Sequence, residues 1–256
     1  EQTAQTALEQ TLSKLPIAKM MHYQVLQKDG QLADVQFARP AHHIIALHGS
    51  KILNINSLGI AAGQKTEGHR FLAPGILTIT SADQYEHDLQ TKAKVVPSFN
   101  QRKTLIETAL LKAAGNDLVL MPDSLLDEVT SLVEWPVIYE CHFDQEFLEV
   151  PQECLILTMQ TNQKYFALTN KEGKLRNRFL IVSNIETDQP QAIISGNERV
   201  VRPRLSDARF FFQQDQKRPL ASRVADLGKV VYHNQLGNQL DRTKRVQSIA
   251  VGIAKK

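Results

Sequence analysis

Cysteine is nearly absent from this sequence. Cys141 and Cys154 are too few for a disulfide framework and lack metal-site spacing, so a reduced, cytoplasmic setting is the expectation. Long apolar runs are missing as well: none approaches the roughly 18 residues of a membrane span, and no signal-peptide pattern opens the chain. No membrane partner is therefore expected. Gly and Pro, twelve and ten residues, are scattered and build no low-complexity linker. Neither sign of charge dominates, because 30 basic residues face 27 acidic ones for a formal net charge of +3. That balance admits nucleic-acid contact only where basic residues cluster.

What is present fits a globular chain with a real core: 256 residues, 42% hydrophobic and 22% charged, enough for one large domain or two modest ones. The chain opens without Met and stops inside "RTKRVQSIAVGIAKK", which still has helical spacing, so a longer parent protein is expected. Residues 2–14 suit a polar surface helix, and 33–55 read as strand-like. "GILTIT" (75–80) reads as a buried strand, and Ser81 with Gln84 as a capping box for the next helix. A helix over 99–114 stops at Gly115, and Asp123 caps "SLLDEVTSLVEW". Then follow the strand "VIYECHF", a helix after Pro151, and strands "KYFAL" and "RFLIVSN" around a turn at Asn170–Gly173. Strands alternating with helices predict an α/β or α+β first domain. Every segment beyond Gln191 reads as helix, which places a boundary near residue 195.

The usual signatures of chemistry are weak. "GIAAGQKT" (59–66) is one residue short of a phosphate-loop spacing, and Gln64 precedes its lysine. His42 and His43 would point to opposite faces of a strand, and His87-Asp88 sits in a polar helix without a second cluster, so no metal is expected. There is no G-x-S-x-G elbow, Cys141 reads as a small apolar strand residue, and Asp127, Glu128 and Glu134 read as a solvated helix face.

One stretch is different. "GNERVVRPRLSDARFFFQQDQKR" (196–218) holds six basic and three acidic residues around a Phe triplet. On a helical wheel, Val200, Val201, Leu205, Ala208, Phe211 and Phe212 share one side, while Arg199, Arg202 and Arg209 cluster on the other with Phe210 beside them. Guanidinium forks suit phosphate oxygens, and an exposed ring stacks on an unpaired base. Arg204 falls on the apolar side and would need Asp207 as partner. Pro203 either kinks the helix or marks its first turn, and in the second case Arg199 loses this phase. By composition alone such a stretch is more often a solvated face than an RNA site.

Nine stretches occur in an order that resembles one family: "KLPIAKMMHY", "FARPAHHIIALHG", "EGHRFLAPG", "SADQYEHDLQTKAKVV", "LLDEVTSLVEWPV", "FLEVP", "MQTNQKYFAL", "GNERVVRPRLSDARFFFQQD" and "QLGNQLDRTKRVQSIA". Together they resemble the N-terminal part of the beta subunit of the bacterial heteromeric glycyl-tRNA synthetase. The resemblance implies an editing-type α/β (α+β) domain over 1–195, similar to that of the phenylalanyl synthetase beta subunit. Over 196–256 it implies a connecting basic helix and the first helices of an all-helical HD-type domain. It further implies a ligase whose alpha subunit uses ATP and magnesium to join glycine to its tRNA. This chain would then bind glycine tRNA and the alpha subunit, with no catalytic residue and no cofactor of its own.

Arg199, Arg202, Arg209, Phe210 and Arg70 are the expected RNA contacts. A docking segment for the alpha subunit and an aminoacyl-tRNA hydrolase are the alternatives, although glycine leaves little to edit. This chain departs from the family pattern at Glu67, where a basic residue is usual, and at His43, where Trp is common.

Overall fold

The computed structural model describes residues 2–26 and 30–255. Helix α1 (Gln2–Lys14) opens the chain as the sequence predicts. Strands β1 (Met21–Leu26) and β2 (Leu32–Phe37) pair antiparallel as a ribbon of their own. The strand-like reading of 33–55 holds only in part. After Phe37 the chain runs irregularly to an isolated bridge between Ile45 and Gly63, then turns through two-residue strands at Leu47–His48 and Lys51–Ile52. "GILTIT" is likewise less than a buried strand: only Ile76–Thr78 pairs, against Lys65–Glu67, and Ile76 is exposed. A two-stranded ribbon has no second layer to cover it. The buried residue here is Ile79, just past the strand.

Helix α2 (Tyr85–Lys92) follows a single tight turn at Ala82–Gln84. In that turn the Ser81 hydroxyl accepts from Asp83 N rather than from Gln84, so the predicted capping box does not form. Helix α3 (Phe99–Ala114) has both predicted ends: Ser98 Oγ accepts from Gln101 N, and Gly115 leaves the helix at φ 65. Strand β3 (Leu118–Val119) leads to α4 (Asp123–Leu132). Pro122, not Asp123, holds the cap position of α4, because Asp123 is already its first helical residue.

Strand β4 (Val137–His142), helix α5 (Gln152–Gln163), and strands β5 (Phe166–Thr169) and β6 (Leu175–Ser183) complete the central layer. The sheet is antiparallel with strand order β4-β6-β5-β3. Side chains alternate across it. Phe179 and Ile181 join Cys141, Phe143 and Ala167 on one face, under α5 and the long helix α6 (Gln191–Gln216). Leu180 joins Phe166 and Leu168 on the other face, under α3 and α4. The sheet is therefore a middle layer covered on both sides. That explains why β5 is buried at every position, with Phe166, Ala167 and Leu168 apolar in succession before Thr169.

Residue 195 lies inside α6, whose buried residues Val201 and Leu205 belong to the same core as Phe179. Beyond α6 the all-helical expectation needs correction. A tight 3-10 segment (Leu220–Lys229) and a small hairpin of Val231–His233 with Gly237–Asn238 precede α7 (Gln239–Ala254). The hairpin turns through residues 234–236 and leaves the turn at Gly237, whose φ of 84 suits glycine.

Cys141 is fully buried, and burial, then Glu198 and Glu140, push its thiol up to about 12. Burial, then Cys141, likewise raises Tyr165 to about 12, while its hydroxyl donates to Asn197 Oδ1 at 2.7 Å. Both groups fold in their neutral forms. Their contribution is complete below their ordinary values of 9.0 and 10.0 and is lost as pH rises through about 12. Chemical unfolding of the protein should therefore become easier from about pH 9 upward, and Cys141→Ala should flatten that alkaline slope. A thiol reagent at pH 8 should modify exposed Cys154 and spare Cys141 until the protein unfolds.

Phe179 stacks on Tyr165 at 4.9 Å and on Phe143 at 6.4 Å. Phe179→Ala should lower unfolding free energy by about 3–5 kcal/mol, read by denaturant titration.

Candidate nucleic-acid interface

Helix α6 is laid down by a narrow stripe. Val201 and Leu205 are fully buried, and Ile194, Ala208 and Phe212 pack beside them. These positions are three, four or seven apart, so they form one line along the helix. The wheel predicts a wider apolar side than the helix has, because Val200 and Phe211 are 47% and 64% exposed. Arg204 belongs to that uncovered flank. It is exposed and makes no ion pair with Asp207, since a side chain in water needs no buried partner.

Pro203 sits well inside the helix. An interior proline forfeits the hydrogen bond to the carbonyl four residues back, here that of Arg199, at about 3 kcal/mol. The buried anchors on either side of it, Val201 and Leu205, hold the helix through that point. Arg199 therefore keeps its helical phase.

The structure locates each predicted contact. Arg199 is exposed, and its Nε donates to Ser195 O one turn back at 3.3 Å. Arg202 forms a two-pronged pair with Asp144, with Nη2 3.2 Å from Oδ1 and Nη1 on Oδ2. Arg209 Nη1 lies 3.0 Å from Glu146 Oε2. Both carboxylates stand at the tight turn between β4 and α5, where Gln145–Glu149 forms a short 3-10 segment. Glu198 faces the same region and accepts from His142 N at 2.8 Å. Sequence reasoning missed this acidic rail, because spacing along the chain gives no sign of partners about 60 residues apart. Phe210 is 54% exposed, with its ring edge-on to Phe211 at 5.5 Å.

Arg70 is on a different part of the molecule. It follows His69, which is 1% exposed and fully bonded. His69 Nε2 donates to Asn184 O at 2.7 Å, while Nδ1 accepts from Phe71 N and Leu72 N at 3.2 and 3.1 Å. Those bonds fix a neutral ring with its proton on Nε2. His69 N also donates to Ala93 O at 2.7 Å, at the end of α2. This close approach requires Gly68, because a Cβ there would stand 2.6 Å from Ala73 O and 3.1 Å from Ala93 Cα. The result is a tight loop that displays Arg70 and Phe71, with the guanidinium 5.8 Å from the Phe71 ring centre. Phe71 is 68% exposed.

Asn184 extends the network. Its Oδ1 accepts from Glu134 N at 2.7 Å and Trp135 N at 2.9 Å. Trp135 Nε1 donates to Glu186 at 3.1 Å, and Lys94 Nζ sits 4.7 Å from the indole centre. The two departures from the family pattern face one another, with His43 Nε2 3.5 Å from Glu67 Oε1. The negative charge at Glu67 thus lies against His43 instead of standing alone beside the Arg70 loop.

A family model described as "Glycyl-tRNA synthetase beta subunit" matches residues 1–256. Among curated relatives, the "Glycine--tRNA ligase beta subunit" of Ralstonia nicotianae is 58% identical over 252 residues, covering 98% of this chain and 36% of the relative. The proteins of the same name from Neisseria meningitidis serogroup A and Polaromonas naphthalenivorans are 53% and 54% identical. They cover 95% and 98% of this chain, and 35% and 36% of their own lengths. The chain thus spans about a third of the length of these relatives. With a matching model along its entire length and relatives at this identity, the chain belongs to the glycyl-tRNA synthetase beta-subunit family.

Proposed function

We propose that this chain serves a glycine–tRNA ligase in the cytoplasm by binding glycine tRNA and by assembling with the alpha subunit. Activation of glycine with ATP and magnesium is assigned to that alpha subunit. The observation that carries the reading is α6: a rod anchored on the sheet by Val201 and Leu205, with Arg199, Arg202, Arg209 and Phe210 on its solvent side. Exposed ion pairs such as Arg202–Asp144 are worth about 0–1 kcal/mol, little enough for a phosphate to replace the carboxylate. The buried, neutral Cys141 is unsuited to act as a nucleophile, which favours binding over chemistry.

In this reading residues 1–195 form the editing-type domain and 196–256 begin the HD-type helical domain, with α6 as the shared element. For assembly, α7 offers Val246, Ile249 and Ile253, all more than half exposed and on one helical side. A second reading, in which α6 docks only on protein, is favoured by the carboxylate partners of Arg202 and Arg209.

Titrating the full alpha–beta enzyme with glycine tRNA across a salt series separates the two. Under the first reading Arg199→Ala weakens binding to all tRNAs and lowers the salt slope by about one unit. Asp144→Ala, which releases Arg202, then tightens tRNA binding, and Arg202→Ala abolishes that gain. Under the second, subunit association changes and tRNA affinity and its slope do not.

A further inference from the structure

Most of the ion pairs described above commit a cation to a carboxylate: Arg202 to Asp144, Arg209 to Glu146. Elsewhere Arg178 bridges Asp117 and Glu140, and Arg218 meets Asp226. Arg70 and Lys94, like Arg102 over Phe99 and Arg242 over Tyr232, depart from this pattern. Among the described residues neither makes an ion pair, and each lies against an aromatic ring.

The two ring pairs belong to one hydrogen-bonded unit. His69 holds Phe71 through its backbone amide, Lys94 through Ala93 O, and Trp135 through Asn184. The backbone tightens the link, since Val96 N donates to Glu134 O at 2.9 Å beside Trp135.

Lys94 itself is unusual. Its φ is 55, in the left-handed region where glycine is the default residue. This conformation reverses the chain after α2, so that Val95 N reaches Leu89 O at 3.0 Å. A glycine would do that work without strain. A lysine instead places an ammonium over the indole, and a strained position of this kind directs attention to what the side chain does.

Trp135 also forms part of the wall of a groove of about 690 Å³ between α3 and β4. The other walls are mainly apolar, including Val96, Leu105, Pro136 and Val137, with Lys112 at the side. Glu186, the one carboxylate in that lining, is already bonded to the indole N–H and so fixes the ring's plane. A Trp135 ring held by Glu186, an exposed Phe71 ring displayed from a backbone-bonded loop, cations without ion pairs and an apolar recess together match the needs of an unpaired nucleotide. The base stacks on the ring while its phosphate meets the cation. A protein partner would instead call for carboxylates facing Arg70, Lys94 and Lys112, or for apolar side chains in the recess alone.

We propose that Phe71 with Arg70, and Trp135 with Lys94, form a platform that binds unpaired nucleotides of the tRNA by stacking, separate from the phosphate contacts of α6. This inference rests on the tRNA-binding reading above and names a second, single-strand-selective part of it.

The test uses the full alpha–beta enzyme carrying Phe71→Leu, Trp135→Leu or Lys94→Gly. Its probes are glycine tRNA, a short single-stranded oligoribonucleotide and a fully paired RNA duplex. Phe71→Leu should weaken the single-stranded probe and the tRNA about ten-fold, in the range of one lost stacking contact, and leave the duplex unchanged. Lys94→Gly suits its backbone position, so its melting temperature should not fall while single-strand affinity does. That variant keeps the proposal testable even if Trp135→Leu fails to fold.

Wild-type affinity of Phe71→Leu and Lys94→Gly for the single-stranded probe, with salt-steep tRNA binding intact, would overturn the platform and leave the α6 reading standing. Loss of subunit association in these variants at unchanged RNA affinity would overturn it in favour of protein docking. Absence of salt-dependent tRNA binding by the wild-type enzyme would overturn both.

Discussion

The strand Leu175–Ser183 is the constraint on which the rest depends. Its consecutive residues Phe179, Leu180 and Ile181 are all buried, although neighbours on a strand point to opposite faces. Both faces therefore need cover, and the helices are distributed accordingly: α3 and α4 on the Leu180 side, α5 and α6 on the Phe179 side. Even its charged residue contributes. Arg178 spans from Glu140 on the adjacent strand to Asp117 at 3.0 Å and Ala113 O at the end of α3, so the sheet and the helix over it are cross-tied. The basic side of α6 points outward because its inner stripe is held against this strand's neighbours.

Where signals were local, they were readable. Gly115 ends α3 where its stop was read, and the turn at Asn170–Gly173 separates two strands because Asn170 Oδ1 accepts from Glu172 N and Lys174 N. The segment 33–55 was harder, since β-branched and apolar residues mark strand propensity but not partner or length, and short ribbons were the outcome. The width of the buried stripe on α6 was also beyond the wheel. A wheel ranks positions by angle and does not know how much of the circumference a neighbour covers, which is why Val200, Arg204 and Phe211 end in solvent.

The candidate site divides along the same line. The outward placement of Arg199, Arg202, Arg209 and Phe210 was legible from helical phase, and Arg70 was singled out by its motif alone. Their partners were not. Asp144 and Glu146 meet α6 only through the fold, and so does the bond from His69 to Asn184, which spans more than a hundred residues. A lone histidine between Gly68 and Arg70 carries no periodic signal. The glycine before it was the available hint, because a close backbone approach is one of the few reasons to need it there.

Helix α6 has a mechanical consequence. At 26 residues it is about 39 Å long, and its packed stripe runs as far as Phe212, close to its end. Packed along one narrow stripe, it behaves as a beam clamped to the sheet rather than as a flexible tether. Past its last turn, Arg223 of the following segment ties back to it, at 3.2 Å from Gln214 O and 3.5 Å from Asp215. Any swing of the C-terminal elements relative to the sheet is thus focused at Lys217–Pro219. A small rotation there would displace α7 by a long arc while leaving the arginines of α6 in place.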